Sequence, residues 1–346
     1  MLWTLTAMAA EDQWPEGTTL YVGIDGEVYD VTGGGAFAPR QRIVDLERYA
    51  AGQVTFTPDR RHALVSLVDD GEVLAVTPDG TVETFATGLR GPTGLLRMSD
   101  GRIIVAEFDD GELVDISAGG DFTDAVPANT GLFGPRNLAE ASDGTLYVAD
   151  QASDAVYTAD LEGGPVRVFA TAMPEVRGIA WLEGALFAAY DERIVDITAG
   201  GDQTEALAFA LGADFFSLCV TGEGRLLSGA LFGTELWDVT PGGAIATGSP
   251  WASQLPAGDT TLGTAPLDPE TITPSPADTG TPPEPDPTGD TGMVDITEPD
   301  GCGCAADPGP ARAVAPWLVV LGVLRRRSPR TRTAPGHRRA SARTIP

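Results

Sequence analysis

The sequence predicts an all-β protein, a six-bladed β-propeller, on three observations. Six segments of similar sequence follow one another at spacings of 43, 40, 43, 40 and 40 residues. Apolar and polar residues alternate within them and β-branched residues are frequent, which favours short strands over helices. Gly interrupts the pattern about every ten residues, as turns between strands require. A period near 40 residues with four short strands per repeat is typical of a propeller blade.

Each repeat consists of an apolar strand, a polar turn and an alternating strand. The six read LYVGIDGEVYDVT from Leu20, ALVSLVDDGEVLAVT from Ala63, IIVAEFDDGELVDIS from Ile103, LYVADQASDAVYTAD from Leu146, LFAAYDERIVDIT from Leu186 and LLSGALFGTELWDVT from Leu226. Asp-Gly pairs such as Asp70-Gly71 and Asp110-Gly111 stand at the turns. Both residue types tolerate positive φ, so these pairs predict hairpins. The acidic spacing of a calcium-binding EF-hand loop is absent.

The ring is predicted to close through a strand at its C-terminal end. The first repeat begins directly with a second-strand motif at Thr18 and has no innermost strand of its own. Residues 259–266, DTTLGTAP, form a further strand after the sixth repeat. We expect this strand to complete the first blade, because closure leaves neither terminal blade with an unpaired edge. The propeller is therefore predicted over residues 18–268.

The net charge of -28 is distributed unevenly. Residues 1–268 carry 13 Arg and 41 acidic residues, residues 269–311 carry nine acidic residues and no Arg, and residues 312–346 carry nine Arg and no acid. The acidic body excludes nucleic acid as a partner, since phosphate binding needs a basic face. Two His exclude a His-rich metal site, and three Cys exclude a core held by disulfides.

The C-terminal residues 269–346 are predicted to lie outside the propeller. Residues 269–301 are rich in Pro, Thr and Asp and should form a disordered linker. Residues 302–327 contain Cys302 and Cys304, an apolar run at 313–324 that predicts a short hydrophobic helix, and three Arg at 325–327. Such a helix is about 18 Å long against a hydrocarbon core of roughly 30 Å, which favours a transient signal over a permanent anchor. Residues 328–346 are predicted to be a basic disordered tail.

This C-terminal pattern resembles the myxobacterial C-terminal sorting signal (MYXO-CTERM). The resemblance implies export, recognition by a membrane sorting protease of the rhombosortase type, and delivery to the cell surface, the outer membrane or the extracellular space. It also implies that Cys302 and Cys304 are positions of processing or lipid attachment. Residues 1–17 are expected to be a truncated leader, because Ala7-Met8-Ala9 resembles a signal-peptidase site but the preceding apolar run is short. The alternative is a buried core helix followed by a basic tail.

Two repeats resemble a known superfamily of propellers. They contain GPTGL at 91–95 with SDG at 99–101, and GPRNL at 134–138 with SDGTLYVAD at 142–150. These residues resemble the innermost and second strands of six-bladed propellers related to gluconolactonases, senescence-marker proteins and NHL repeats. The resemblance covers residues 18–268 and implies the fold. It leaves the activity open, because the superfamily includes lactonases, phosphotriesterases, lyases and binding proteins.

The resemblance also implies where a ligand would bind. Enzymes of this superfamily hold one divalent cation in the central channel through Glu, Asn and Asp side chains. Glu107, Asn137 and Asp150 match part of that set and offer oxygen ligands of the kind that Ca²⁺ accepts. The usual Asn-Asp-Gly and second Asn motifs are missing. Arg136 and Arg177 are expected to project into the same space, which disfavours a cation.

Tyr190 is a further residue expected to line the channel. Three interpretations of the polar residues in the channel remain open. The polar residues pair with one another as charge-assisted Arg–carboxylate bonds, or they form a pocket for an anion or small ligand, or they hold a catalytic metal. A catalytic triad has no support, because His62 is expected in a surface turn and Cys219 lies in an apolar run.

The sequence therefore predicts an exported, surface-attached propeller that acts as a binding or scaffold module with no catalytic residues. Its expected partners are an unidentified small molecule, glycan or protein at the propeller face, the membrane through the C-terminal signal, and a sorting protease. The alternative is a calcium-dependent hydrolase or lactonase of the gluconolactonase kind that uses the central channel. A ring-opening lyase would need a channel His, which the sequence does not offer.

Overall fold

Short β-strands form the regular structure of the described residues, which in this computed structural model are 13–38, 41–50, 52–212, 215–230, 233–244, 249–256 and 261–265. In chain order the strands of the first half are β1 (Thr19–Val22), β2 (Glu27–Asp30), β3 (Gly35–Ala36), β4 (Val44–Asp45), β5 (Val54–Phe56), β6 (Ala63–Leu67), β7 (Glu72–Val76), β8 (Val82–Thr87), β9 (Pro92–Arg97), β10 (Ile103–Glu107), β11 (Glu112–Asp115), β12 (Gly120–Asp121), β13 (Asn129–Thr130) and β14 (Pro135–Glu140).

The second half continues the same pattern. Its strands are β15 (Leu146–Asp150), β16 (Ala155–Ala159), β17 (Arg167–Thr171), β18 (Gly178–Leu182), β19 (Ala185–Tyr190), β20 (Arg193–Asp196), β21 (Gly201–Asp202), β22 (Ala208–Leu211), β23 (Phe215–Val220), β24 (Leu226–Ala230), β25 (Leu236–Asp238), β26 (Gly243–Ala244), β27 (Ala252–Ser253) and β28 (Thr261–Thr264). A short 3-10 turn, Gln151–Ser153, follows β15. Within the described ranges no helix is long and apolar enough to span a lipid bilayer.

Six sheets make six blades, which confirms the predicted propeller. Blade 1 has the order β28-β1-β2-β4, and blade 3 has β9-β10-β11-β13. Blades 2, 4, 5 and 6 begin with β5, β14, β18 and β23 as their innermost strands. Most of residues 1–17 and the predicted linker, sorting segment and tail lie outside the described residues.

The closing strand takes the predicted place. β28 is the innermost strand of blade 1 and pairs antiparallel with β1, with Leu20 opposite Gly263 and Tyr21 opposite Leu262. Ala265 N donates to Thr18 O at 2.7 Å, which extends the pairing beyond the strand. A Cβ added at Gly263 would lie 2.0 Å from the carbonyl oxygen of Val54 in blade 2. The closing strand therefore approaches blade 2 so closely at residue 263 that a side chain larger than that of glycine would clash.

Four blades gain an outer strand from the blade that follows them around the ring. β12, β21, β26 and β3 pair parallel with β8, β17, β22 and β27, respectively. Each contributed strand follows or contains a Gly-Gly pair with positive φ, such as Gly200 and Gly201 at 65° and 81°. A Cβ at Gly200 would lie 2.7 Å from the Phe169 carbonyl oxygen of the preceding blade. These Gly-Gly pairs therefore allow the close backbone contact by which each contributed strand pairs with the preceding blade.

The hydrophobic core lies between adjacent blades, because each sheet presents one apolar face to the next. Trp14 is 3% exposed and packs edge-on against Phe56 at 6.1 Å between ring centroids. Its indole N–H donates to Val76 O at 3.1 Å. The packed body thus includes Trp14, which precedes the predicted boundary at residue 18.

The Asp-Gly turns are hairpins, as predicted, but their loops are longer than two residues. Gly71 N donates to Leu67 O at 3.1 Å, and Gly111 N donates to Glu107 O at 3.0 Å, so four residues separate the paired strands. Only the Gly of each pair takes positive φ, 67° in Gly71 and 69° in Gly111. These four-residue loops have one left-handed residue at their end, whereas a two-residue type I′ turn needs two.

Removal of the closing strand should destabilise the whole ring. A chain ending at residue 256 loses β28 and the buried Leu262, and it exposes the inner edge of β1. We expect a loss of at least about 3 kcal/mol, or roughly 6–12 °C in Tm. Thermal unfolding followed by circular dichroism measures this. A chain ending at residue 268 is the control, and equal melting temperatures for the two chains would contradict the role of β28.

Candidate functional site

The six candidate residues lie at the same end of the inner and second strands of blades 3, 4 and 5. Glu107, Asp150 and Tyr190 are the last residues of β10, β15 and β19. Arg136 and Asn137 are the second and third residues of the facing inner strand β14, and Arg177 directly precedes β18. Each inner strand is antiparallel to its second strand, so inner-strand starts and second-strand ends meet. We call this end of the channel the upper mouth.

β-Bulges in blades 4 and 6 direct side chains at the upper mouth. In blade 4, Pro135 pairs with Asp150 and Asn137 with Ala149, so that Arg136 is the extra residue. In blade 6 the pairing skips Phe216 in the same way, between Phe215 and Ser217 of β23. A bulge re-aims the side chain of its extra residue, and bulges are frequent at sheet ends and beside binding sites.

Arg136 and Arg177 both contact the ring of Phe216. The guanidinium carbon of Arg136 lies 4.5 Å from the ring centroid, and that of Arg177 lies 5.8 Å from it. The three residues come from blades 4, 5 and 6, so cation–π contacts join these blades at the mouth. Phe216 is 6% exposed. Nothing in the sequence distinguishes it from its apolar neighbours, and only the bulge shows its role.

Asp150 is fully buried and organises the loops of blade 4. Its Oδ2 accepts from the backbone N–H groups of Phe133 at 2.7 Å and Gly134 at 3.2 Å. Its Oδ1 accepts from Ser153 N at 3.1 Å and from the Ser153 hydroxyl at 2.9 Å. A carboxylate has about four acceptor positions, and these four bonds use them all. Asp150 therefore holds the 3-10 turn and the preceding loop in place.

The 3-10 turn also positions Arg136 and Arg177. Gln151 Oε1 accepts from Arg136 Nη1 at 3.0 Å. At the other end of the turn, Asp154 Oδ1 accepts from Glu175 N at 2.7 Å. The Glu175 carboxylate then accepts from Arg177 Nη2 at 2.5 Å.

Asn137 and Gln53 link inner strands across the channel. Asn137 is 4% exposed, and its Oδ1 accepts from Ile179 N of blade 5 at 3.0 Å. Gln53 Oε1 accepts from Leu95 N of blade 3 at 2.9 Å and from Leu138 N of blade 4 at 3.2 Å. These bonds satisfy backbone groups at the inner sheet edges, which have no strand beside them. A central cavity of about 230 Å³, lined by residues of all six inner strands and by Gln53, remains in the channel.

Glu107 is the candidate carboxylate with the most unusual environment. It is 5% exposed, and its Oε1 accepts from Arg90 N at 2.8 Å. Burial raises the pKa of the Glu107 carboxyl, the Arg90 N–H acts in the opposite direction, and the charges of Asp110 and Glu112 raise the pKa further. The oxygens of these three carboxylates lie within 4.8 Å of one another. The Arg90 guanidinium stands 3.8 Å from Asp110.

Tyr190 and Cys219 are buried residues of the blade interfaces. Tyr190 is 2% exposed and its ring packs among the apolar side chains of blades 4 and 5. The Arg193 guanidinium lies 5.3 Å from that ring. Cys219 is 7% exposed, as its apolar surroundings in the sequence predicted. Burial raises the pKa of its thiol to about 11, and the sulfur lies 3.1 Å from the Thr264 hydroxyl of the closing strand.

Comparisons with known proteins support the fold alone. No protein-family model matches the chain, and no curated protein matches it. A chain from the structure of a nidogen/laminin complex has a TM-score of 0.54 at 14% identity, with 72% of this chain and 97% of that chain covered. A gluconolactonase from Xanthomonas campestris has a TM-score of 0.46 at 17% identity, covering 56% of this chain and 74% of that one. The virginiamycin B lyase of Staphylococcus aureus has a TM-score of 0.44 at 15% identity, covering 65% and 82%.

Glu107→Gln should stabilise the protein at neutral pH. Because the pKa of Glu107 is raised on folding, the folded state binds more protons than the unfolded state between the ordinary and the raised value. Stability is therefore lost as the pH rises through that range, and a neutral amide avoids this loss. We expect a larger stabilisation at pH 7.5 than at pH 4 in urea unfolding.

The control for this prediction is Glu83→Gln, which removes an exposed charge from β8. Its effect should be small and similar at both pH values. An equal effect of Glu107→Gln at pH 4 and pH 7.5 would show that burial does not penalise the Glu107 charge.

Proposed function

We propose that this chain is a binding module without catalytic function, exported and held at the cell surface through its C-terminal region. The observation that supports a binding module without catalysis is that the candidate ligand oxygens already accept hydrogen bonds within the propeller. The two oxygens of Asp150 accept four hydrogen bonds from its own blade, and Asn137 Oδ1 accepts one from the next blade. These atoms hold the propeller together.

A calcium site of the gluconolactonase kind does not fit this arrangement. A metal bound through Asp150 would have to displace one of its bonds to Phe133 N, Gly134 N or Ser153, because these four bonds use all of its acceptor positions. Breaking a hydrogen bond to a buried N–H group leaves that group unsatisfied, which costs about 1–3 kcal/mol each. The hydrolase alternative therefore lacks a ready ligand set.

The fold is compatible with a binding role. The propeller with a TM-score of 0.54 comes from a complex of nidogen and laminin, in which two proteins associate. Binding and catalysis occur on the same architectures, so the site must decide between them. In this chain the oxygens of Asp150 are engaged in structural bonds, which disfavours metal-dependent catalysis.

The C-terminal region supports the second part of the proposal. The Pro-, Thr- and Asp-rich stretch at 269–301 has the composition of a flexible stalk. If processing occurs at Cys302, the Arg-rich tail is removed and the remaining chain of 301 residues carries a net charge of -36. Such a charge favours a soluble, repulsive surface.

Calcium titration of the whole chain tests the absence of a metal-dependent activity. We expect no saturable heat in calorimetry at millimolar Ca²⁺ and no calcium-dependent lactone hydrolysis. Asp150→Asn should lower the free energy of unfolding by about 2–4 kcal/mol, because two or more buried donors lose their acceptor.

Asp143→Asn provides the matched control, since Asp143 accepts one N–H bond in an exposed turn. Its effect on stability should be below about 1 kcal/mol. A saturable calcium signal that Asp150→Asn abolishes and Asp143→Asn leaves intact would overturn the proposal in favour of the hydrolase.

Cell fractionation tests the surface attachment. The full-length chain, expressed in a myxobacterial host, should appear in the outer-membrane fraction and be accessible to external protease. Replacing both Cys302 and Cys304 by Ser should remove it from that fraction. Retention of the double variant, or a wholly cytoplasmic wild-type chain, would contradict the assigned role of these cysteines.

A further inference from the structure

We propose that the end of the central channel opposite the upper mouth binds a small neutral polyhydroxy molecule, a monosaccharide or cyclic polyol of one ring. The binding groups are backbone N–H and C=O groups of the inner strands. The site is the central cavity of about 230 Å³, which we call the lower cavity. Its assignment rests on the binding function proposed above and gives the chemical class of the ligand.

The lower cavity lies between Gln53 and the lower ends of the inner strands. Gln53 crosses the channel from blade 2 to blade 4, where its Oε1 accepts from Leu138 N at 3.2 Å and its Nε2 donates to Leu138 O at 3.4 Å. Below Gln53, the wall includes the last residues of three inner strands, Glu140, Val220 and Thr264. These three residues are partly exposed, so solvent reaches this end of the cavity.

Four inner-strand residues stand at the same level in blades 3 to 6, because each pairs with the first residue of its repeat. They are Arg97 opposite Ile103, Glu140 opposite Leu146, Trp181 opposite Leu186 and Val220 opposite Leu226. In blade 3, the N–H of Arg97 points to the inner edge, where the Thr55 hydroxyl oxygen of blade 2 accepts it at 3.0 Å. The equivalent N–H groups of blades 4 to 6 therefore point to the inner edge as well.

The position of Thr55 offers a side-chain acceptor in blade 2 but not in blades 3 to 5. The equivalent residues of those three blades are apolar: Leu96, Ala139 and Ala180. Among the described residues, no atom accepts from the inner-edge N–H groups at the level of Arg97 in the next blades, those of Glu140, Trp181 and Val220. A backbone N–H group inside a fold requires an acceptor, and these three face the lower cavity.

The lower cavity therefore presents donors and acceptors side by side. In an antiparallel strand, the N–H and C=O groups of one residue point to the same edge. Glu140, Trp181 and Val220 thus each turn one donor and one acceptor inward, from three consecutive blades. A hydroxyl group both donates and accepts, so one hydroxyl suits the paired groups of one such residue.

The charge and size of the lower cavity favour a neutral ligand of one ring. Of the described residues that line it, two are charged and of opposite sign, Arg97 and Glu140. The Glu140 oxygens already accept from Ser99 N at 2.6 Å and from Ser99 Oγ at 2.7 Å. An ionic ligand would therefore find no excess of opposite charge in the wall. A cavity of ~150 Å³ holds benzene, so about 230 Å³ has room for a six-membered ring that carries hydroxyl groups.

Calorimetric titration of the whole chain with xylose, galactose and myo-inositol tests the lower cavity. We expect saturable binding of at least one of the three. Ala139→Thr and Ala180→Thr should place a hydroxyl acceptor next to Trp181 N and Val220 N, as Thr55 does next to Arg97 N. Each variant should weaken the binding at least tenfold, about 1.4 kcal/mol. Thermal unfolding shows that each variant is folded.

Ala139→Val is the matched control, because valine has the shape of threonine without its hydroxyl group. It leaves Trp181 N open and should keep most of the wild-type affinity. If Ala139→Thr does not fold, Ala180→Thr with Ala180→Val as its control gives the same comparison in the next blade.

Three results would overturn the assignment of the lower cavity: no saturable heat with any of the three polyols, an equal loss of affinity in the Thr and Val variants, or wild-type affinity in both Thr variants. The calcium titration of Asp150→Asn concerns the opposite end of the channel. A calcium-dependent hydrolysis would contradict the binding function, whereas a lack of polyol binding would contradict the lower cavity alone, so the two failures are distinguishable.

Discussion

The pairing of β28 with β1 is the constraint on which the rest of the structure depends. The chain enters blade 1 at its second strand, and the innermost position is filled only when Leu262 and Gly263 come to lie opposite Tyr21 and Leu20. Each inner strand packs against the next, so the ring has a defined radius only when all six are present. The upper mouth, where blades 3 to 6 bring their side chains together, inherits its geometry from this closure.

Adjacent blades are also connected by bonds that repeat around the ring. Side chains of the inner strands bind backbone groups of the neighbouring blade, as Asn137 does with Ile179, Thr55 with Arg97, and Gln53 with Leu95. At the outer rim, Gly-Gly pairs bring short strands onto the preceding blade. The innermost and outermost parts of each blade are thus tied to a neighbour, and the apolar contacts fill the space between.

The sequence predicted the fold well because the fold is a repeated pattern. A period of 40 to 43 residues, alternation along the strands and the missing first strand together specify six blades and their closure. The Gly-Gly pairs are equally periodic in the sequence. Their role is to approach an aromatic residue of another blade closely, such as Phe169, and no local pattern identifies that residue. Long-range partners of this kind require coordinates.

The site was less predictable for a related reason. The sequence placed Glu107 and Asp150 at equivalent ends of second strands, and Arg136 at the entry of a first strand, which predicted all three near the channel. The sequence could not show that the Asp150 carboxylate accepts hydrogen bonds from Phe133, Gly134 and Ser153, because residue type does not reveal which donors a carboxylate meets. Phe216 reaches the mouth through a bulge, which depends on a register between strands.

Closure by the last strand has a consequence for the order in which the protein is made. Val22 leaves the ribosome early, whereas its partner Thr261 follows 239 residues later. At about 5–20 residues per second, the inner edge of blade 1 waits roughly ten to fifty seconds for its partner. During synthesis the nascent chain therefore carries an open strand edge at its N-terminal end, and blade 1 is the last blade to be completed although it is the first to be translated.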